Sequence, residues 1–163
     1  MNETLQERLF TDYPDILSKD NFPSGIPCDD GWYDLIDNMC YHIKRRISNV
    51  HWGWGKDEIL KEVPVRILEM NRRFSGDSLS VEFFVDYPVT PTELQKCEIE
   101  SRVSSIKDYT ESISARTCEL TGKPGELYAK RTDKLVSKIL CKRLAKELDF
   151  VDYHNWHSEG GEE

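Results

Sequence analysis

Apolar residues recur along this chain with two different periods. Trp32, Leu35, Ile36, Met39, Cys40, Ile43 and Ile47 repeat every three or four positions, which is one continuous face of an α-helix. Asp29 or Asp30 can cap that helix, and Lys44, Arg45 and Arg46 suit the negative end of its dipole. Leu79, Val81, Phe83, Val85 and Tyr87 instead alternate with Ser80, Glu82, Phe84 and Asp86, the period of a strand with one buried face. Val65–Arg73 pairs with it as a hairpin through Ser75-Gly76-Asp77, and Pro88 ends the second strand.

Weaker patterns fill in the rest. Leu5, Leu9 and Phe10 suit a short N-terminal helix that ends before Tyr13-Pro14. Residues 18–30 form a loop rich in breakers, and a second short helix fits Asp57–Glu62. Thr90-Pro91-Thr92-Glu93 starts a long helix, with Thr90 as N-cap, Pro91 as first helical residue and Glu93 closing a capping box. That helix runs to about Ser114, with Leu94, Cys97, Val103, Ile106, Tyr109 (or Thr110) and Ile113 facing inward. Gly122, Pro124 and Gly125 mark a tight turn, followed by a strand over Glu126–Arg131. Leu135, Val136, Ile139, Leu140, Leu144 and Leu148 fit either a helical stripe or a strand to Leu140 followed by a helix from Cys141, and periodicity leaves both open.

The expected fold class is therefore α+β: a small antiparallel sheet packed against two main helices, at 31–48 and 91–114. Residues 1–115 form the helix–hairpin–helix core, 116–150 a small C-terminal module and 151–163 a flexible acidic tail. The chain has 163 residues, one domain's worth, and no run of apolar residues long enough to span a membrane. Residues 1–10 lack the basic and apolar regions of a signal peptide, and five scattered cysteines are not a disulfide framework. A cytoplasmic location with reduced thiols is the expectation.

The formal net charge of −8 is unevenly placed. Residues 1–40 hold nine acids and two bases, and residues 74–100 hold six acids and one base. Residues 101–148 carry eleven bases against six acids, and the segment after them is acidic again. The plain reading is solvated helix faces. The sharper one is a local anion contact in the basic stretch.

Several pieces, in order, resemble a group of small, uncharacterised proteins from tailed phages and prophages. Cys28-Asp29-Asp30-Gly31-Trp32-Tyr33-Asp34-Leu35-Ile36 is similar to that group's Cys-Gly-Asp-Gly-Trp-x-x-Leu-Ile opening. Val65–Phe74 and Gly76–Phe84 resemble its hairpin. Arg116-Thr117-Cys118-Glu119-Leu120-Thr121-Gly122-Lys123-Pro124-Gly125 resembles its Arg-Thr-Cys-Glu-x-Cys-Gly-x-Pro-Gly, and Leu140-Cys141-Lys142-Arg143-Leu144 its Leu-Cys-x-x-His. The order is kept over roughly residues 13–150. The resemblance implies phage origin rather than a mechanism, because the group has no established activity. It also implies that a zinc-ribbon or treble-clef-like module stood at the C-terminus. Here Thr121 and Leu144 replace two of its four ligands, so Cys118 and Cys141 read as the remnant of a metal site, with no metal or other cofactor expected.

No phosphate-binding loop, nucleophile elbow or zinc-protease helix is present. Asp29/Asp30 and Asp34/Asp37 can hold a divalent ion, but capping and an acidic helix surface explain them more simply. Cys40 and Cys97 read as small core residues, with no base placed to activate them. Trp52 and Trp54, alternating with Gly53 and Gly55, are either covers over the core edge or a contact for a partner or a base.

The function expected is non-enzymatic: a phage-encoded protein that binds a host or phage protein, in the manner of an inhibitor of a host defence or nucleic-acid-handling system. Trp52, Trp54, Asp29, Asp30, Asp34 and Asp37 are its candidate binding residues. The alternative is a nucleic-acid-binding accessory protein using Arg116, Lys130, Arg131, Lys134, Lys138, Lys142, Arg143 and Lys146. A third class, a small enzyme with an unfamiliar site, requires a pocket where ionisable groups converge.

Overall fold

In a computed structural model, residues 1–47, 65–73, 77–87, 92–131 and 135–154 are described. Trp52, Trp54, Lys134, the 57–62 helix, the hairpin turn and the Thr90-Pro91 helix start lie outside them. The described residues form a mixed α+β fold. α1 (Glu3–Asp12) leads through a 3₁₀ turn (Asp30–Trp32) to α2 (Tyr33–Ile47). A hairpin of β1 (Val65–Arg72) and β2 (Leu79–Val85) precedes α3 (Glu93–Ser114). β3 (Glu126–Arg131), β4 (Leu135–Leu140), α4 (Lys142–Glu147) and β5 (Val151–Asp152) follow. β1 and β2 make one antiparallel sheet, and the second sheet has the order β4-β3-β5. No described helix is long and apolar enough to cross a membrane.

The two clearest sequence periods become the two sides of one core. Trp32, Ile36, Met39, Cys40 and Ile43 are buried from the α2 side, and Val65, Ile67, Met70, Leu79 and Val81 from the hairpin. β1 breaks its alternation: the register shifts between Ile67 and Glu69, so both Ile67 and Met70 point inward while Leu68 is turned out. One extra residue in a strand produces that effect. The 13–28 segment is more than a connector, because Ile16, Leu17, Phe22, Ile26 and Cys28 all enter the same core.

Both edges of the two-stranded sheet are closed by other parts of the chain. The Ile67 N–H donates to the Ile16 carbonyl over 2.8 Å, on the outer side of β1. On the outer side of β2, side chains of α3 take the place of a third strand. Leu79 N–H donates to Ser114 Oγ (2.8 Å) and Val81 N–H to Glu111 Oε1 (3.0 Å). A buried N–H without an acceptor is destabilising, so these two residues explain how a two-stranded sheet stands beside a helix. Arg73 Nη2 pairs with Glu111 Oε2 at 2.8 Å and balances its buried charge.

α3 departs from its expected start. Thr92 is the N-cap, and its side chain exchanges hydrogen bonds with Gln95 in a capping box. Glu93 is the first helical residue, two positions after the expected Pro91. The inner face begins only at Ile99: Leu94 is 76% exposed and Cys97 is also exposed, so neither is a core residue. The first turns of α3 project past the sheet. Further along, Thr110 is buried and Tyr109 points outward at 67% exposure, which settles that pair. The ambiguous 135–148 stretch is a strand followed by a helix. Val151 and Asp152 continue past it as β5, opposite Ala129 and Tyr128.

Candidate functional site

The Cys28–Trp32 motif is a docking surface for the turn at 117–122. Gly31 N–H donates to the Glu119 carbonyl over 2.7 Å. A Cβ on Gly31 would lie 2.3 Å from the Cys118 carbonyl oxygen and 2.5 Å from Gly122 N, so only glycine fits there. Trp32, 1% exposed, donates its indole N–H to the Thr117 carbonyl at 2.9 Å. The acids around the motif hold structure together. Asp30 accepts the Asn2 N–H (2.6 Å) and side-chain amide (2.8 Å), and those bonds hold its carboxyl below the usual range. Asp37 accepts the Tyr13 hydroxyl at 2.9 Å, and burial followed by this carboxylate pushes the Tyr13 phenol up. Asp29 pairs with Lys138 at 2.8 Å. Of the four acids expected to face a partner, Asp34 is exposed and has no side-chain bond to another element among the described residues.

A buried carboxylate sits behind this dock. Glu119 is 1% exposed; its Oε1 accepts the Ile139 N–H (2.9 Å) and its Oε2 accepts from Arg72 Nη2 (2.7 Å). Arg72 Nη1 donates to the Ser137 carbonyl at 2.8 Å, and Lys138 Nζ lies 3.9 Å from Glu119. Burial raises the Glu119 carboxyl above its ordinary value, and the Ile139 N–H, Arg72 and Lys138 oppose that only in part. Met1, Cys28, Asp29, Trp32, Arg72, Glu119 and Lys138 line a cavity of about 210 Å³ here. Ionisable groups do converge in it, which is the feature the enzyme reading asks for. Yet Arg72 is paired with Glu119, Lys138 with Asp29, and burial pushes the Cys28 thiol up to about 12. The arrangement clamps the C-terminal module to the core. The sequence pattern assigns no role to Glu119 or Arg72; a lone acid inside a glycine-rich turn is the only signal.

Cys118 occupies the turn itself and is fully buried. Its N–H donates to the Lys123 carbonyl (2.7 Å), and its carbonyl accepts from Thr121 (3.3 Å) and Gly122 (2.9 Å). Gly122 adopts a φ of +68°, which a side chain would strain. Burial pushes the Cys118 thiol up. Hydrogen bonding from the Thr121 hydroxyl and from the backbone of Cys141, Leu120 and Thr121 outweighs it and leaves the thiol below its ordinary value. These residues do not fit a structural zinc ion. Cys118 and Cys141 supply two thiols, but Thr121 and Leu144 supply no metal-binding side chain, and no group of three ligand-type residues exists among the described residues.

The basic residues of the alternative reading are only partly brought together. Lys138 is half-buried in the clamp, and Lys130 donates to the Leu148 carbonyl (2.6 Å) while lying over the Phe150 ring. Arg143 pairs with Glu147 at 2.7 Å, and Arg116 is exposed just after α3. Lys142 and Lys146 line a cavity of about 520 Å³ with Tyr128 and Phe150, but Glu126 and Asp152 line it too. The Arg131 side chain lies outside the described residues.

A groove between α2 and α3 is the site that sequence reasoning misses. Leu35, Met39, Ile106, Tyr109 and Ile113 line about 570 Å³, with Asn38, His42, Arg46, Ser105 and Thr110 at its margins. The helices run antiparallel: Arg102, near the middle of α3, donates to the Arg46 carbonyl at the end of α2 (2.8 Å), while Ile113 at the end of α3 shares the groove with Leu35 at the start of α2. Leu35 and Ile113 belong to the predicted inner faces, yet both are only half-buried. The signal is therefore an apolar stripe on each helix wider than one neighbour can cover.

Comparison with known proteins finds no matching family model, no matching curated protein and no matching solved structure.

Proposed function

We propose that this chain is a non-enzymatic interaction protein that acts by occupying the surface of another protein. The observation that carries the reading is the α2–α3 groove, where Tyr109 stands 67% exposed beside Leu35, Met39 and Ile106. An exposed aromatic over a preformed apolar trough is the chemistry of a binding anchor. The net charge of −8, with Asp34, Glu82, Glu93 and Glu100 exposed, favours a target with a basic surface. The resemblance to tailed-phage proteins extends the proposal to a phage-encoded inhibitor of a host defence or nucleic-acid-handling system, working in the bacterial cytoplasm. It also supports reading the C-terminal turn, strands and α4 as a metal-free descendant of a zinc module. Trp52 and Trp54 remain proposed contacts of the same kind.

The test is affinity capture from nuclease-treated bacterial lysate, comparing the wild-type chain with Tyr109→Glu. The reading requires a discrete protein bound by the former and lost from the latter. Recovery of nucleic acid alone from untreated lysate transfers the function to the basic-segment reading.

A further inference from the structure

We propose that the α2–α3 groove takes an amphipathic α-helix of the target protein, carrying a carboxylate where it meets Arg46. The proposal rests on reading the groove as the binding face and names what lies in it. Leu35 and Met39 on α2, and Ile106, Tyr109 and Ile113 on α3, recur every three or four positions, so the trough has an apolar wall from each helix. From Leu35 to Arg46 it follows about three turns of α2, roughly 16 Å. The walls are helices, whose backbone groups are already bonded within them. An extended peptide lying there would bury N–H and C=O groups with no acceptor or donor opposite, whereas a helix satisfies its own and offers side chains at i, i+3 or i+4 and i+7.

Charge fixes the chemistry of the occupant. The chain holds 30 acids against 22 bases, yet no Asp or Glu is among the described residues lining the groove, where Arg46 and His42 stand. Arg46 is exposed and makes no ion pair among the described residues. Arg102, which donates to the Arg46 carbonyl, is already paired with Glu98. A carboxylate at the end of the docked helix therefore meets Arg46 with no lining acid to repel it, and a lysine in that place meets like charge. The groove is a local inversion of the protein's charge, and the acidic surface elsewhere still steers the target as a whole.

The test pans a random-peptide display library on the full chain, with counter-selection on Tyr109→Glu. Enriched peptides should share apolar residues at i, i+3 or i+4 and i+7, with an Asp or Glu at one end. The strongest, made synthetically, should become helical on binding by circular dichroism. Arg46→Glu, shown to melt at the wild-type temperature, should bind that peptide about fivefold more weakly, the upper end for one exposed ion pair. The same peptide with Lys in place of the acid should bind Arg46→Glu better than it binds wild type. Arg46→Gln, which puts no new charge on α2, should weaken the original peptide in the same direction. No enrichment, enriched peptides that bind without helix formation, or equal binding by wild type and both Arg46 variants overturns the proposal. So does a wild-type dimer that Tyr109→Glu dissolves, because a second copy of this chain then fills the groove. If lysate capture is lost with Tyr109→Glu but unchanged with both Arg46 variants, the binding face stands and this inference alone falls.

Discussion

Gly31 donates its N–H to the carbonyl of Glu119 over 2.7 Å, and this contact joins the Cys28–Trp32 segment ahead of α2 to the C-terminal module. The backbones meet so closely that a methyl group at Gly31 would fall 2.3 Å from the Cys118 oxygen. The obstruction is backbone on three sides, so no side chain can swing away. Gly31→Ala should therefore lower unfolding free energy by about 3 kcal/mol, the upper end for overpacking. Chemical denaturation monitored by tryptophan fluorescence measures it, and a loss under about 0.5 kcal/mol, a typical surface-substitution effect, contradicts the docking geometry.

The clamp behind that contact has its own signature. Arg72→Met leaves Glu119 buried with its Oε2 deprived of a 2.7 Å partner, which should cost about 3 kcal/mol. Combining Arg72→Met with Glu119→Gln should recover part of the loss, because the uncompensated charge goes too. Additive losses in a double-mutant cycle would show that the pair is not coupled.

Glu119 also fixes a sign for pH dependence. Its folded-state carboxyl is raised, chiefly by burial, so the folded protein holds that proton more tightly than the unfolded chain. The stability it contributes is full below the unfolded value of about 4.5 and is lost as pH rises through the folded value. Asp30 acts oppositely: lowered by the Asn2 bonds, it contributes above its unfolded value and loses that contribution as the solution is acidified. At the alkaline end, Cys28 contributes below 9.0 and loses this as pH rises toward about 12. Stability measured against pH should thus fall less steeply above about 4.5 in Glu119→Gln than in the wild type. Identical slopes contradict the assignment.

The closure of the β2 edge by α3 gives a fourth expectation. Ser114→Ala removes the acceptor of the buried Leu79 N–H and should cost about 1–3 kcal/mol. Amide exchange at Leu79 should quicken correspondingly. An unchanged exchange rate there would mean that another group accepts the bond.

What the sequence reveals follows the range of the interaction. The α2 stripe and the β2 alternation are local periods, and both appear where the pattern puts them. Residues 135–148 are ambiguous locally because the same leucines satisfy both periods, and pairing with β3 decides for a strand. Leu94 and Cys97 fit the α3 stripe, but the sheet beneath ends before reaching them, a boundary that no local pattern records. In the candidate binding set, Asp29, Asp30 and Asp37 look like a surface patch in the sequence, yet they are held by Lys138, Asn2 and Tyr13. Those partners come from elsewhere in the chain, and Lys138 is 109 positions away. The α2–α3 groove is likewise a property of two helices together.

If charge steers the partner, raising salt should weaken capture steeply, since an acidic chain meeting a basic surface is screened within about 10 Å at 0.1 M. Capture that persists unchanged at high salt would place the affinity in the groove alone and remove the acidic surface from the account.

The most direct test of a protein-binding function is the amount of the captured lysate protein retained by wild type and by Tyr109→Glu, after both are shown to have the same melting temperature. The account predicts one dominant protein on the wild-type chain, resistant to nuclease, and at least a tenfold loss on the variant, roughly 1.4 kcal/mol of binding free energy. Equal retention by the two chains, or retention that disappears with nuclease, contradicts it.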